Sequence, residues 1–292
     1  IGFDTVNVAV FNPQLTVSAD VTICLGDTTQ LEASGAVTYL WSPNQDIDNI
    51  NISNPEVWPS ATTTYVVNAT DANSCEVSDS IVVTVQPLPS VDAGPDLTIC
   101  FGQSAELGGS GATDYVWVPG GTLNDPNTQS PIASPEVTTT FYVTGSDQFG
   151  CSNTDSMTVF VNQLPTIDAG ADDIVCNGIG VQLNATGGVT YSWAPILGLN
   201  DPNIANPIAL PATPTEYVVT GIDANSCSNT DTVFVDVFLV NALGDTTICI
   251  GDVAQLGAIG GVSWTWTPVT GLSDPNAQFP TANPSSTTVY TV

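Results

Sequence analysis

Thr62-Thr63-Thr64-Tyr65-Val66-Val67-Asn68-Ala69-Thr70-Asp71-Ala72-Asn73-Ser74-Cys75 is a β-branched run that ends in a polar turn at a cysteine. Thr, Val and Tyr at this density suit a half-buried strand, and Asp-Ala-Asn-Ser is turn chemistry. The motif returns at Thr139 to Cys151 and at Thr215 to Cys227. Reading outward, each copy is preceded by a Trp and another cysteine at fixed spacing: Cys24, Trp41 and Cys75, then Cys100, Trp117 and Cys151, then Cys176, Trp193 and Cys227. Cys249 and Trp266 open a fourth copy. The first cysteines lie 76, 76 and 73 residues apart, which is the mark of a tandem array.

Within repeat one, Val17 to Ile23, Gln30 to Ala33, Thr38 to Trp41, Thr62 to Ala69 and Ile81 to Val85 read as short strands separated by turn residues. No helical period is present. The fold class is all-β: a tandem array of small β-sandwich domains with one disulfide per domain. Residues 1–13 read as the final strand of a preceding repeat, because Asp4-Thr5-Val6 aligns with Asp79-Ser80-Ile81. Repeats one to three occupy 14–88, 89–164 and 165–238, and an incomplete fourth occupies 239–292. The chain therefore reads as a window in a longer polymer.

The core falls to Trp41, Trp117, Trp193 and Trp266, since large rings fill a small interior with few residues. Tyr39, Tyr115, Tyr191 and Trp264 share their face. Tyr65, Phe141, Tyr217 and Tyr290 are expected to pack from the opposite sheet. Pro87-Leu88-Pro89 and Leu164-Pro165 are short, stiff joints. The third joint, Val237-Phe238-Leu239-Val240, lacks proline and is expected to bury Phe238 or Leu239 between domains.

Cysteine pairs at one separation, without any His, read as a disulfide framework in an oxidising compartment. The expected bonds are Cys24–Cys75, Cys100–Cys151 and Cys176–Cys227, each inside one repeat. Cys249 is assigned a partner outside the chain, ten residues past Tyr290.

The 292 residues include 29 Asp and Glu but no Lys, Arg or His. Phosphate neutralisation, and with it nucleic-acid binding, is excluded, as is docking on anionic lipid. Imidazole bases and Schiff-base lysines are absent, and no carboxylate pair stands out as a catalytic constellation, so the chain does not read as an enzyme. No apolar run is long enough to insert in a membrane.

Two kinds of site remain. Asp followed by Ser or Thr and then an aliphatic residue or Thr resembles a bacterial O-glycosylation sequence, which would make Thr5, Thr28, Ser80, Ser156, Thr232 and Thr246 acceptor candidates, an Asx turn being the plainer reading. Calcium is the one cofactor the carboxylates suggest, through Asp46, Asp48, Asp92, Asp96, Asp125, Asp168, Asp172, Asp201 and Asp274. Turn capping explains the same residues without a metal.

The combined pattern Cys-x-Gly-Asp, Gln-Leu, Trp-x-Pro, Asn-Pro, Thr-Thr-Tyr-Val-Val, Asp-x-x-x-Cys and Asp-Ser-x-x-Val-x-Val resembles the Ig-like or PKD-like tandem repeats of giant Bacteroidota surface proteins, including gliding-motility adhesins. The Asp-Phe-Gly-Asp-Gly signature of typical PKD domains is missing. The resemblance implies type IX export to the cell surface and a structural stalk or filament shaft that spaces a distal binding domain from the cell. Its partners would be neighbouring repeats, other copies in a filament, or surface polysaccharide. The alternative function is a repeated, low-affinity glycan- or self-binding module whose strength comes from multivalency.

Overall fold

The computed structural model describes residues 3–10 and 12–292 and contains strands but no helix. It divides into two compact units, Ile1–Val161 and Asn162–Val292. The first holds two repeats, each with its own core.

In repeat one the strands are β1 (Thr16–Val17), β2 (Val21–Cys24), β3 (Thr29–Gln30), β4 (Ala33–Ser34), β5 (Thr38–Ser42), β6 (Glu56–Val57), β7 (Thr63–Thr70) and β8 (Glu76–Gln86). Four of them form a sheet in the order β2-β8-β7-β5, and the pairs β1–β4 and β3–β6 supply the other layer. β7 and β8 are the antiparallel hairpin announced by the opening motif, with Tyr65 opposite Ile81. β2 runs parallel to β8 and places Cys24 beside Gln86. This is an Ig-like sandwich whose first strand is split between the two sheets.

Alternation fixes what faces inward. Tyr65, Val67 and Ala69 of β7 and Ile81 and Val83 of β8 are buried against Trp41, while Leu31 and Val57 close the core from the smaller layer. The Trp41 indole N–H donates to the Ile52 carbonyl at 2.9 Å and so anchors the long loop after β5. Trp117, Trp193 and Trp266 make the same bond eleven residues onward, to Thr128, Ile204 and Ala277. One expectation changes. Tyr65 lies on the same sheet as Trp41, because β5 and β7 are hydrogen-bonded neighbours with Trp41 opposite Val67.

Repeat two repeats the plan with β9 (Leu97–Cys100), β10 (Ala105–Glu106), β11 (Asp114–Val118), β12 (Ile132–Ala133), β13 (Thr139–Ser146) and β14 (Ser152–Asn162). Repeat three does so with β15 (Asp173–Cys176), β16 (Val181–Gln182), β17 (Thr190–Ala194), β18 (Ile208–Ala209), β19 (Thr215–Ile222) and β20 (Ser228–Phe238). Each core Trp is followed two residues on by a proline after a cis peptide bond, at Pro43, Pro119, Pro195 and Pro268.

The last stretch carries only β21 (Asn241–Ala242), β22 (Ala254–Gln255), β23 (Ala258–Ile259) and β24 (Thr281–Ala282). Thr246 to Cys249, the counterpart of β2, is not a strand. In the complete repeats that strand pairs with the final one, as β2 does with β8. Of residues 1–13, read from sequence as a final strand, residues 3–10 carry no strand and are exposed, and residues 1, 2 and 11 lie outside the described residues.

Candidate functional site: the joint between repeats one and two

The two cysteines of a repeat sit at opposite poles of its sandwich. Cys75 closes the turn before β8, whereas Cys24 ends β2 beside Gln86, the last residue of β8. A strand of eleven residues separates those poles by roughly 35 Å. A disulfide tolerates about 4.4–6.8 Å between Cα atoms. The expected Cys24–Cys75 bond is therefore replaced, and Cys24 is joined to Cys151 of the next repeat, with Cα atoms 5.5 Å apart.

The connection follows from the fold. Cys24 marks the pole where repeat one ends, and Cys151 marks the pole where repeat two begins. The bond thus joins positions 127 residues apart in sequence across one short linker. Cys100 and Cys227, which hold the positions of Cys24 and Cys151 one repeat further on, are disulfide-bonded as well. Cys75, Cys176 and Cys249 are free thiols, so the expected Cys176–Cys227 bond is also not formed. Blocking with iodoacetamide under denaturing, non-reducing conditions should add three groups to the intact mass, and reduction first should raise the number to seven. Addition of one group alone before reduction would restore pairing within each repeat.

Both cysteines are held by backbone geometry. The Asp147 carboxylate accepts from the N–H groups of Phe149 at 2.8 Å and Cys151 at 2.9 Å, which fixes the turn and leaves Cys151 buried. Asp71 and Asp223 grip Cys75 and Cys227 in the same way. The bond from the Cys75 N–H is the main cause that lowers the Asp71 pKa. On the other side, the Cys24 N–H donates to Asp27 at 3.3 Å, and the Leu25 N–H donates to the Gln86 carbonyl at 2.8 Å. The second of these ties the chain after Cys24 to the start of the linker.

The linker is itself bound to repeat two. The Asn153 side-chain amide donates to the Pro89 carbonyl at 3.1 Å, and Asp155 accepts from the Ala93 N–H at 2.8 Å. Gly111 has φ +85°, and a Cβ there would collide with the Ser90 carbonyl oxygen. Gly111→Ala should destabilise repeat two by about 2 kcal/mol, read as a lower urea midpoint, through both the left-handed backbone and the displaced linker.

The N–H of Ala93 is the first cause holding the Asp155 carboxyl below the usual carboxylate range, and that of Ala169 acts likewise on Asp231. A depressed folded-state pKa gives stability that is present above the unfolded value of about 3.9 and lost as pH falls through the folded one. Unfolding by urea should accordingly become easier below about pH 4. Asp155→Asn, which keeps an acceptor that cannot titrate, should flatten that dependence, and an unchanged slope would remove Asp155 from the account.

The remaining candidates fall elsewhere. Ser80, Ser156 and Thr232 stand exposed on final strands, and Thr5, Thr28 and Thr246 are exposed in turns or loops. Among the calcium candidates, Asp96 caps the Thr158 N–H and Asp172 the Phe234 N–H, across 62 residues each. Asp48 caps Asn49 and Glu56, and Asp92, Asp125, Asp168, Asp201 and Asp274 cap N–H groups two residues on. The Asp46 carbonyl accepts from the Tyr65 hydroxyl. The described residues bring no three of His, Cys, Asp and Glu together as metal ligands. At the third joint Phe238 and Leu239 are 45% and 37% exposed rather than buried, because inward alternation along β20 falls on Val233, Val235 and Val237.

The joint's polar grips were missed from sequence. Asn153-Thr154-Asp155 and Asn229-Thr230-Asp231 recur visibly, and in both the Asn amide reaches a linker proline carbonyl, Pro89 or Pro165.

None of the described helices is long and apolar enough to cross a membrane, there being none at all among these residues. No family model and no curated protein matches the chain. Similar solved structures include an I-band fragment of titin, I67–I69, at 12% identity, covering 76% of this chain and 98% of that one with a TM-score of 0.37. Extracellular domains 3–5 of Drosophila OTK match at 10% identity over 75% and 94% of the two chains, TM-score 0.31. The insect immune protein hemolin matches at 11% over 77% and 76%, TM-score 0.29.

Proposed function

We propose that this chain is the shaft of an extracellular fibre, a spacer that holds a binding domain away from the surface that bears it. The observation that carries the reading is the Cys24–Cys151 bond, which ties the end of one folded repeat to the beginning of the next. A second covalent connection across a joint that already has a linker restrains both bending and twisting there. Disulfide-bonded Ig-like domains are typical of extracellular proteins, and the cystine fits an oxidising compartment. The resemblance of the repeats to those of Bacteroidota surface proteins supports a reading in which the fibre belongs to that setting and leaves the cell by type IX export, with the exposed Ser80, Ser156 and Thr232 as acceptors for sugar.

The test is binding and geometry together. Small-angle scattering of the oxidised chain should give a narrow distribution of lengths that broadens on reduction, and a glycan array should show no retained ligand. Saturable binding of a polysaccharide by single repeats would replace the shaft with a multivalent binding module. Intact mass of natively exported material should exceed the sequence mass by repeated sugar increments, and a bare mass would end the glycan assignment.

A further inference from the structure

We infer that the Cys24–Cys151 cystine is a mechanical shunt, which carries tension from repeat one into the last strand of repeat two and keeps it off the polypeptide between them. The shunt's purpose rests on the shaft reading, whereas its geometry does not.

A pull applied ahead of repeat one reaches Cys24 through β1 and β2 alone. There the covalent path forks. One branch is the chain through β3 to β8, the linker and most of repeat two. The other is a single S–S bond to Cys151. Cys151 immediately precedes β14, so load leaving the bond enters that strand at its first residue. The folded chain between the two cysteines spans a Cα separation of only 5.5 Å, fixed by the bond, and cannot be drawn out while the bond lasts.

Two of the strands that remain in the path, β2 and β14, resist as sheared strands. β2 lies parallel along the end of β8, with four residue pairs from Val21–Val83 to Cys24–Gln86. β14 is an inner strand of its sheet, between β13 and β9, and pairs with β13 over eight residues. Tension along such strands must break several backbone bonds together rather than one after another. Cys151, in the turn between β13 and β14, is therefore placed where load enters an inner strand of its sheet.

The consequence is a limit on length. An Ig-like repeat without a cross-link lengthens many-fold when it unfolds, because a folded pole-to-pole distance becomes a chain of about 3.4 Å per residue. Here unfolding either repeat frees no length between Cys24 and Cys151. The 127 residues of separation, worth about 430 Å of contour, stay locked.

The experiment is single-molecule force spectroscopy on the full chain, with handles attached through azide-bearing residues at the exposed positions Gln14 and Gln163. Oxidised protein should release no more than about 75 Å of contour between the handles before the tether fails. The same protein in a dithiol reductant, and the Cys24→Ser/Cys151→Ser variant, should each release about 430 Å more. Reduction of the wild type guards against a variant that does not fold. Equal release before and after reduction would overturn the shunt. So would a locked length of about 350 Å in two separate loops, the signature of Cys24 bonded to Cys75 and Cys100 bonded to Cys151. Discovery of a polysaccharide ligand would displace the shaft reading and leave these lengths unchanged.

Discussion

Replacing Cys24 and Cys151 by serine should lower the stability of whichever of repeats one and two unfolds first by about 4 kcal/mol, and of the pair together by about 5 kcal/mol, measured by urea unfolding of the full chain. The size comes from the position of the bond. While repeat one is folded, Cys24 lies next to Gln86, so an unfolded repeat two is a closed loop of roughly 65 residues pinned at both ends to one pole. The same holds with the roles exchanged. Either repeat therefore unfolds into a restricted ensemble only while its neighbour is intact, and the two transitions are coupled. Without the bond each repeat should melt on its own, at a lower midpoint. Cys75→Ser is the control: it removes a free thiol and should leave both midpoints in place. If instead Cys75→Ser costs as much as Cys24→Ser, the bond runs within the repeat and the joint is not stapled.

The repeat, its length and its all-β character were legible because they depend on local pattern. Alternation along Thr63 to Thr70 and the turn from Asp71 to Cys75 need nothing beyond their own residues. The buried Trp was legible too, as a large ring at a recurrent place, although its indole bond to a carbonyl eleven residues on was not. Pairing of the cysteines was misread for a specific reason. Equal spacing shows that Cys24 and Cys75 recur together, but not that they lie near each other. Their distance depends on β2 crossing to run parallel with β8, a long-range arrangement that puts Cys24 at the far pole. The carboxylates were half legible. Their turn positions stood out in sequence, whereas the reach of Asp96 to Thr158, or of Asp155 to Ala93, required the folded sheet.

Trp117→Ala should cost repeat two about 3–5 kcal/mol, a large part of what a domain of this size has. Trp117 is 1% exposed, lies opposite Val143 in the sheet and packs close to Gly109, so its removal leaves a cavity that strands on both sides cannot easily fill. A second loss adds to the first. The indole N–H donates to the Thr128 carbonyl at 3.1 Å, and with it gone the loop after β11 loses an anchor and a carbonyl loses its partner. Trp117→Phe separates the two effects: most of the volume stays, and a cost of about 1–2 kcal/mol would belong to the bond and the smaller ring. Trp58→Ala supplies the surface comparison, because that ring is 43% exposed and should cost under about 1 kcal/mol. Urea unfolding of oxidised protein reads all three, and a Trp117→Ala cost no greater than that of Trp58→Ala would overturn the packing account. The staple adds a further test of the same cavity. With Cys24–Cys151 closed, a destabilised repeat two remains pinned beside repeat one, so it should refold when urea is diluted; with the bond reduced, it should open at lower urea and independently of its neighbour.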